Sequence, residues 1–200
     1  GAGWMRSDYD QSGIPYDSAG VRIDRFLEGL HIVRRAMEPG AFSFSGTHYT
    51  ITDYDGLPKP VQERPPVLIG GGGKRVLGIA AREADIVGIN PSMDAGVIGP
   101  DAIAGMTAAS VDEKVSIVRE AAGSRMAEIE MNVRAFLVNV TPDGAAARAG
   151  MAQMFGGETS MIDETGFGGS AEFTAGNDVK RPVRAVACNG TDGLRGADFT

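Results

Sequence analysis

Two short apolar runs, Pro66–Gly70 (PVLIG) and Asp85–Asn90 (DIVGIN), bracket a stretch with helical spacing, Lys74–Ala84 (KRVLGIAAREA). Runs that are apolar at nearly every position suit strands buried on both faces, the usual state of a parallel sheet covered by helices. A strand, a helix and a second strand in that order predict parallel pairing, because parallel strands need a crossover about as long as a helix. Four consecutive glycines, Gly70–Gly73, separate the first run from the helix. Glycine loses more backbone freedom on ordering than any other residue. An ordered run of four therefore needs either a close approach by something or a joint that stays flexible.

The rest of the chain extends the alternation. Over Val21–Met37, apolar Ile23, Phe26, Leu27, Leu30, Val33 and Met37 fall at three- and four-residue steps, which predicts an amphipathic helix. Asp17 or Ser18 can cap its start, and Pro39–Gly40 ends it; His31 reads as a partly exposed residue on it. Phe42, Phe44, Tyr49 and Ile51 alternate around Gly46 and predict a hairpin, with His48 at its surface and Asp53, Tyr54 and Asp55 facing solvent at its end. Ser110 with Glu113 has the form of a capping box opening a helix over Ser110–Arg125, with Val111, Val115 and Val118 as its apolar stripe and Gly123 as its stop. Glu128–Val140 predicts a long strand, and Thr141 or Asp143 can open a last helix, Gly144–Phe155. Residues 156–200 are rich in glycine, lack a sustained period and predict an irregular tail. This α/β order satisfies both a doubly wound sheet and a closed barrel.

Charge and composition narrow the function. A chain of 200 residues can bury a sizeable core. Its formal net charge of -7 argues against wholesale binding of nucleic acid or of an anionic membrane surface. No apolar run approaches the roughly 20 residues of a membrane helix. The one cysteine, Cys188, excludes an internal disulfide and favours a reducing, cytoplasmic setting. The two histidines, His31 and His48, and the absence of zinc-type spacings give no reason to expect a metal.

The glycine junction is the strongest candidate site. It lies at the carboxyl end of a buried strand and directly before a helix start, the edge where parallel α/β proteins bind ligands. A helix start presents unpaired N–H groups and the positive end of the macrodipole, and both suit a phosphate. Lys74 and Arg75 add two cations that oppose the dipole of an empty helix but complement a bound anion. The dinucleotide pattern GxGxxG fails, because Arg75 stands where its last glycine belongs. The P-loop pattern fails too, because Lys74 is followed by Arg75 instead of Ser or Thr. The phosphate of a flavin-type cofactor or of a substrate remains.

The stretches GAGW (Gly1–Trp4), GIPYDSAGVRIDRFLEGLHIVRRAM and FSFSGTHYTITDYDGLPKPVQERPPVLIGGGGKRVLGIAAREADIVGIN resemble the luciferase-like monooxygenase family, and within it the branch that uses the deazaflavin coenzyme F420. The resemblance runs in order from Gly1 to about Phe155. It implies a (β/α)8 barrel with a flavin or deazaflavin at the carboxyl ends of the strands, and flavin or deazaflavin chemistry on a small organic substrate. Coenzyme F420 is the implied cofactor and FMN the alternative. By the same resemblance Gly1, Gly3 and Trp4 lie near the cofactor. Gly70, Gly71, Gly72 and Gly73 with Lys74 and Arg75 hold its phosphate, and Asn90 faces the same opening. Arg6, Asp8 and Tyr9 are expected on a loop beside it, and no acid or base is assigned. The implied barrel lacks its first strands here. The expectation is therefore a C-terminal fragment of a partial barrel, residues 1–155, followed by the irregular 156–200. A homodimer is expected only of a full-length protein. The competing expectations are a non-catalytic module that binds a phosphate ligand or an assembly partner, and an inactive gene fragment.

Overall fold

Hydrophobic residues that alternate or recur at helical spacing have one place to go, and the computed structural model shows where they go for residues 1–93, 96–97, 102, 105–133 and 144–155. The internal contacts divide these residues into two compact units: Gly1–Val67 with Met93–Val97, and Leu68–Ser92 with the described residues beyond 97.

In the first unit a short helix, Arg6–Ser12 (α1), ends at Gly13, whose φ of 67° supplies the left-handed residue that closes many helices. This corrects the expectation of a loop at Arg6, Asp8 and Tyr9. The segment has no long apolar stripe to announce a helix, and its residues are exposed except for a half-buried Tyr9. The longer helix Ala19–Met37 (α2) covers the predicted span, with Ser18 at its N-cap position but no side-chain cap bond. His31 is exposed on it. Phe42–Ser45 (β1) and Thr50–Tyr54 (β2) form the predicted antiparallel hairpin. Phe42 is its buried anchor, meeting the Tyr54 ring edge-on at 6.1 Å. The hairpin turn is tied to α2 by Glu28, whose carboxylate accepts the N–H groups of Thr47, His48 and Tyr49 at 2.8, 2.9 and 3.2 Å. Desolvation raises the pKa of that carboxyl, but the three N–H donors outweigh it and the net shift is downward.

In the second unit Leu68–Gly71 (β3), Ile86–Ile89 (β4) and Glu130–Val133 (β5) make a parallel sheet in the order β3-β4-β5. The three predicted runs are thus neighbours with the predicted direction. Among the described residues the sheet does not close into a barrel. The remainder of the third run, 134–140, the caps proposed at Thr141 and Asp143, and the tail 156–200 lie outside the described residues. Lys74–Glu83 (α3) crosses from β3 to β4 and packs on both. Ala108–Ala122 (α4) lies against α3 and β4, and Gly144–Phe155 (α5) brings Met151 and Ala152 against Met106. Ile69, Leu77, Val87, Val118 and Ile129 are the largest fully buried side chains and form the centre of this unit.

The predicted capping box is corrected by one turn. Thr107 is the N-cap, and its Oγ1 accepts the Ser110 N–H at 3.3 Å. Ser110 sits inside the first turn and donates its hydroxyl to the Gly105 carbonyl. The sequence reading took Ser110 as the cap; Thr107, three residues earlier, has the same cap chemistry. Lys114, one turn further, is buried and donates to Gly105 O and Ser110 Oγ. Burial pushes its ammonium below the ordinary 10.5, against the opposing effect of Glu113.

The far end of α3 shows how this unit completes its hydrogen bonding. The last carbonyls of a helix have no intrahelical donor, and Arg125 supplies one, donating Nη1 to Ala81 O and Nη2 to Ala84 O, each at 2.6 Å. Arg125→Met keeps much of the aliphatic stem and removes both bonds. The expected loss is about 2 kcal/mol for the pair, less than two full bonds at roughly 1.5–3 kcal/mol each, because Arg125 is half-buried and water takes part of its place. It should appear as a lower urea midpoint at an unchanged slope. An unchanged midpoint would mean that water serves those carbonyls equally well.

Candidate cofactor-binding site

The junction between β3 and α3 assigns each of the four glycines a different neighbour. Gly71 pairs with Ile89, and the ladder continues one step beyond through the Asn90 N–H to the Gly71 carbonyl at 3.0 Å. A Cβ on Gly70 would sit 2.6 Å from Asn90 Nδ2, and one on Gly71 would sit 2.5 Å from Val76 Cγ1. A Cβ on Gly72 would collide with the carbonyl of Pro91 and with the Asn90 oxygen. Gly73 differs: nothing lies within 4 Å of its Cβ position. The chain's own packing thus occupies the space beside Gly70, Gly71 and Gly72, and only Gly73 borders open space.

Gly73 is also the N-cap of α3, with φ -83° and ψ 146°, and its carbonyl accepts the Leu77 N–H at 3.0 Å. The N–H groups of Lys74, Arg75 and Val76 precede that first helical bond and have no acceptor within the helix. The helix starts where the sequence placed it. The N–H groups it offers belong to residues 74–76 and not to Gly71 or Gly72. Lys74 and Arg75 are exposed. Their side chains also border a shallow groove of about 340 Å³ between α3 and α4, together with Arg82 and Glu120.

Strand alternation sorts the sheet residues by face. Ile69 and Gly71 point toward α3, as the Val76 contact shows; Gly70 points the other way, beside the Asn90 amide. Gly88 and Asn132 stand in register with Gly70, and a Cβ on Gly88 would lie 3.3 Å from Gly70 Cα and 3.8 Å from Asn132 Oδ1. The sheet face opposite α3 therefore ends in two glycines flanked by two half-buried amides, Asn90 and Asn132. Asn132 was missed by the sequence reading. The alternation in EIEMNV, which puts Met131 and Val133 on one side and Asn132 on the other, could have found it.

Gly1, Gly3 and Trp4 belong to the first unit. Gly1 is exposed and Trp4 half-buried, and Gly3 has φ 70° with its Cβ position blocked by the Tyr9 hydroxyl. Tyr16 donates its hydroxyl to the Trp4 carbonyl at 2.9 Å, and Arg22 donates Nε to the Gly3 carbonyl at 3.1 Å. Neither Tyr16 nor Arg22 was singled out from the sequence. Arg22 is polar yet buried, with 8% exposure, in the first turn of an amphipathic helix. Only its partners explain that burial. Among the described residues no group of three or more His, Cys, Asp or Glu side chains could hold a metal ion, and no helix is long and apolar enough to cross a membrane.

The luciferase-like monooxygenase family model matches residues 1–186, a span that continues past Phe155 into the expected tail. The chain is 29% identical over 85 residues to the FMNH(2)-dependent dimethylsulfone monooxygenase of Pseudomonas putida, an alignment covering 42% of this chain and 23% of that protein. Among solved structures it is similar to an F420-dependent secondary alcohol dehydrogenase in complex with an F420-acetone adduct, at 16% identity and a TM-score of 0.51, over 76% of this chain and 49% of that one. It is also similar to monooxygenase RslO1 from Streptomyces bottropensis, at 20% identity and a TM-score of 0.52, over 86% of this chain and 48% of that one. The chain thus spans about half the length of both solved structures. At these identities the structural likeness shows the fold, that of a (β/α) barrel in part.

Proposed function

Because this chain belongs to the luciferase-like monooxygenase family, we propose that it is part of an oxidoreductase that uses coenzyme F420, with FMN as the alternative, on a small organic substrate. The observation that carries the reading is the start of α3. There an N-cap glycine with open space beside it opens a helix whose first turn carries two exposed cationic residues, Lys74 and Arg75. Such a site fits a phosphate-bearing cofactor, because the backbone can approach the oxygens and the dipole favours their charge. Gly73, Lys74 and Arg75 would hold that phosphate. Gly70, Gly71 and Gly72 would shape the loop that brings them there, with Asn90 beside it. For Gly1, Gly3 and Trp4 a place near the cofactor rests on the family resemblance alone. When bound, the deazaflavin supplies hydride transfer and reduced FMN supplies oxygen chemistry; the protein contributes binding, orientation and electrostatics.

The same helix start also suits a second reading, a module that binds a phosphate ligand without turning over. A titration of the chain with F420 and with FMN, followed by cofactor fluorescence, tests both. The expected result is saturable binding with F420 the tighter ligand. Tighter binding of FMN would reassign the cofactor, and binding of neither would remove the reading. Bleaching of bound F420 by a secondary alcohol would separate an enzyme from a module.

A further inference from the structure

Four residues of the first unit, Tyr9, Tyr16, Arg22 and Gly96, lie against the segment Gly1–Trp4. Arg22 Nε donates to Gly3 O, and its Nη1 to Asp17 O at 2.5 Å. The same guanidinium lies 4.0 Å from the centre of the Tyr16 ring, close enough for a cation–π attraction. Tyr16 donates to Trp4 O. Tyr9 meets Tyr16 edge-on at 5.1 Å, and its hydroxyl reaches Ala2 O at 3.4 Å. Gly96, with φ 72°, closes the other side: a Cβ there would lie 2.8 Å from the Tyr16 hydroxyl and 3.3 Å from Trp4 O. Its carbonyl accepts the Arg6 N–H at 3.2 Å. Burying a guanidinium is unfavourable unless its donors are used. Here they hold two carbonyls that the fold could have left to water.

We propose that Tyr16 and Arg22 are positioning residues: stacked on each other, they grip the carbonyls of Trp4 and Gly3 and hold the Gly3–Trp4 backbone in the conformation that presents Trp4 to the cofactor ring. The proposal rests on the function proposed above. The left-handed φ of Gly3 is part of the same device, since it turns the Gly3 carbonyl onto Arg22. In this role neither residue needs to touch the cofactor. Their effect passes through the backbone they fix, and a flat aromatic partner gains most from a platform that is already ordered.

Trp4 is the chain's one tryptophan, so its fluorescence reports on this segment alone. Tyr16→Phe keeps the ring under Arg22 and deletes only the hydroxyl that holds Trp4 O. In the full chain at an unchanged urea midpoint, this variant is expected to make Trp4 more accessible to acrylamide. It should also weaken F420 binding about tenfold, the equivalent of one hydrogen bond's worth of ordering. Tyr9→Phe, which loses a longer bond to Ala2, should change both readings less. Equal acrylamide quenching and equal F420 affinity in Tyr16→Phe and wild type would overturn the proposal. Failure of the wild type to bind either cofactor would overturn the functional reading and the cofactor half of this one. The quenching, measured without cofactor, still decides whether Tyr16 anchors Trp4.

Discussion

Gly72→Ala is expected to lose about 3 kcal/mol of stability, a large fraction of what holds a unit of this size together. The added methyl would enter the carbonyl of Pro91 and the Asn90 oxygen. Both obstacles are main chain, fixed by the Asn90–Gly71 hydrogen bond and by the sheet behind it. Relief would require β3 and the segment after β4 to separate. The same substitution at Gly70 meets the tip of a flexible side chain, the Asn90 amide, which can turn aside. At Gly71 it meets a Val76 methyl at 2.5 Å and the Val76 Cβ at 3.0 Å, and a valine in a helix is stiff at χ1. The Gly70 variant should therefore lose clearly less than the Gly72 variant. Urea denaturation followed by circular dichroism measures both, and a Gly72→Ala midpoint equal to that of Gly70→Ala would contradict the packing described here.

The same contact explains why a substitution at Gly72 cannot report on a ligand. Any loss of binding there would follow from loss of the fold. The sequence showed that four glycines precede a helix, and it showed the anion-binding logic of that position. It could not show that the neighbours of Gly70–Gly72 are supplied by the chain itself, because those neighbours are Val76, Asn90 and Pro91, arriving through the tertiary path of β4 and α3. The strands themselves were legible, since apolar runs without alternation have few alternatives to a covered parallel sheet. Boundaries were less so: Thr107 and Ser110 offer the same cap chemistry, and only the hydrogen bond to Ser110 N–H distinguishes them. The short helix Arg6–Ser12 buries too little for periodicity to mark it. Arg22 and Tyr16 were invisible for a similar reason. Their significance lies in main-chain carbonyls nineteen and twelve positions away, respectively.

Gly73→Asp tests the central claim, because here stability and binding are expected to move in opposite directions. An aspartate at the N-cap accepts the N–H of the second or third helical residue and faces the positive end of the dipole. With open space beside Gly73 and a φ of -83°, the side chain enters without strain. A gain of about 0.5 kcal/mol is expected in urea denaturation, since aspartate and glycine differ at this position by only a few tenths of a kcal/mol before the dipole adds its share. Toward a phosphate the same carboxylate is a like charge that also takes over an N–H donor. The expected loss of F420 affinity is on the order of 2–4 kcal/mol, about 30- to 1,000-fold. The measurement is F420 affinity by fluorescence in wild type and Gly73→Asp, with urea midpoints taken on the same samples. The account predicts a variant at least as stable as wild type that binds F420 at least about 30-fold more weakly. Equal affinity in a fully folded variant would contradict it, and would mean that the start of α3 holds no phosphate.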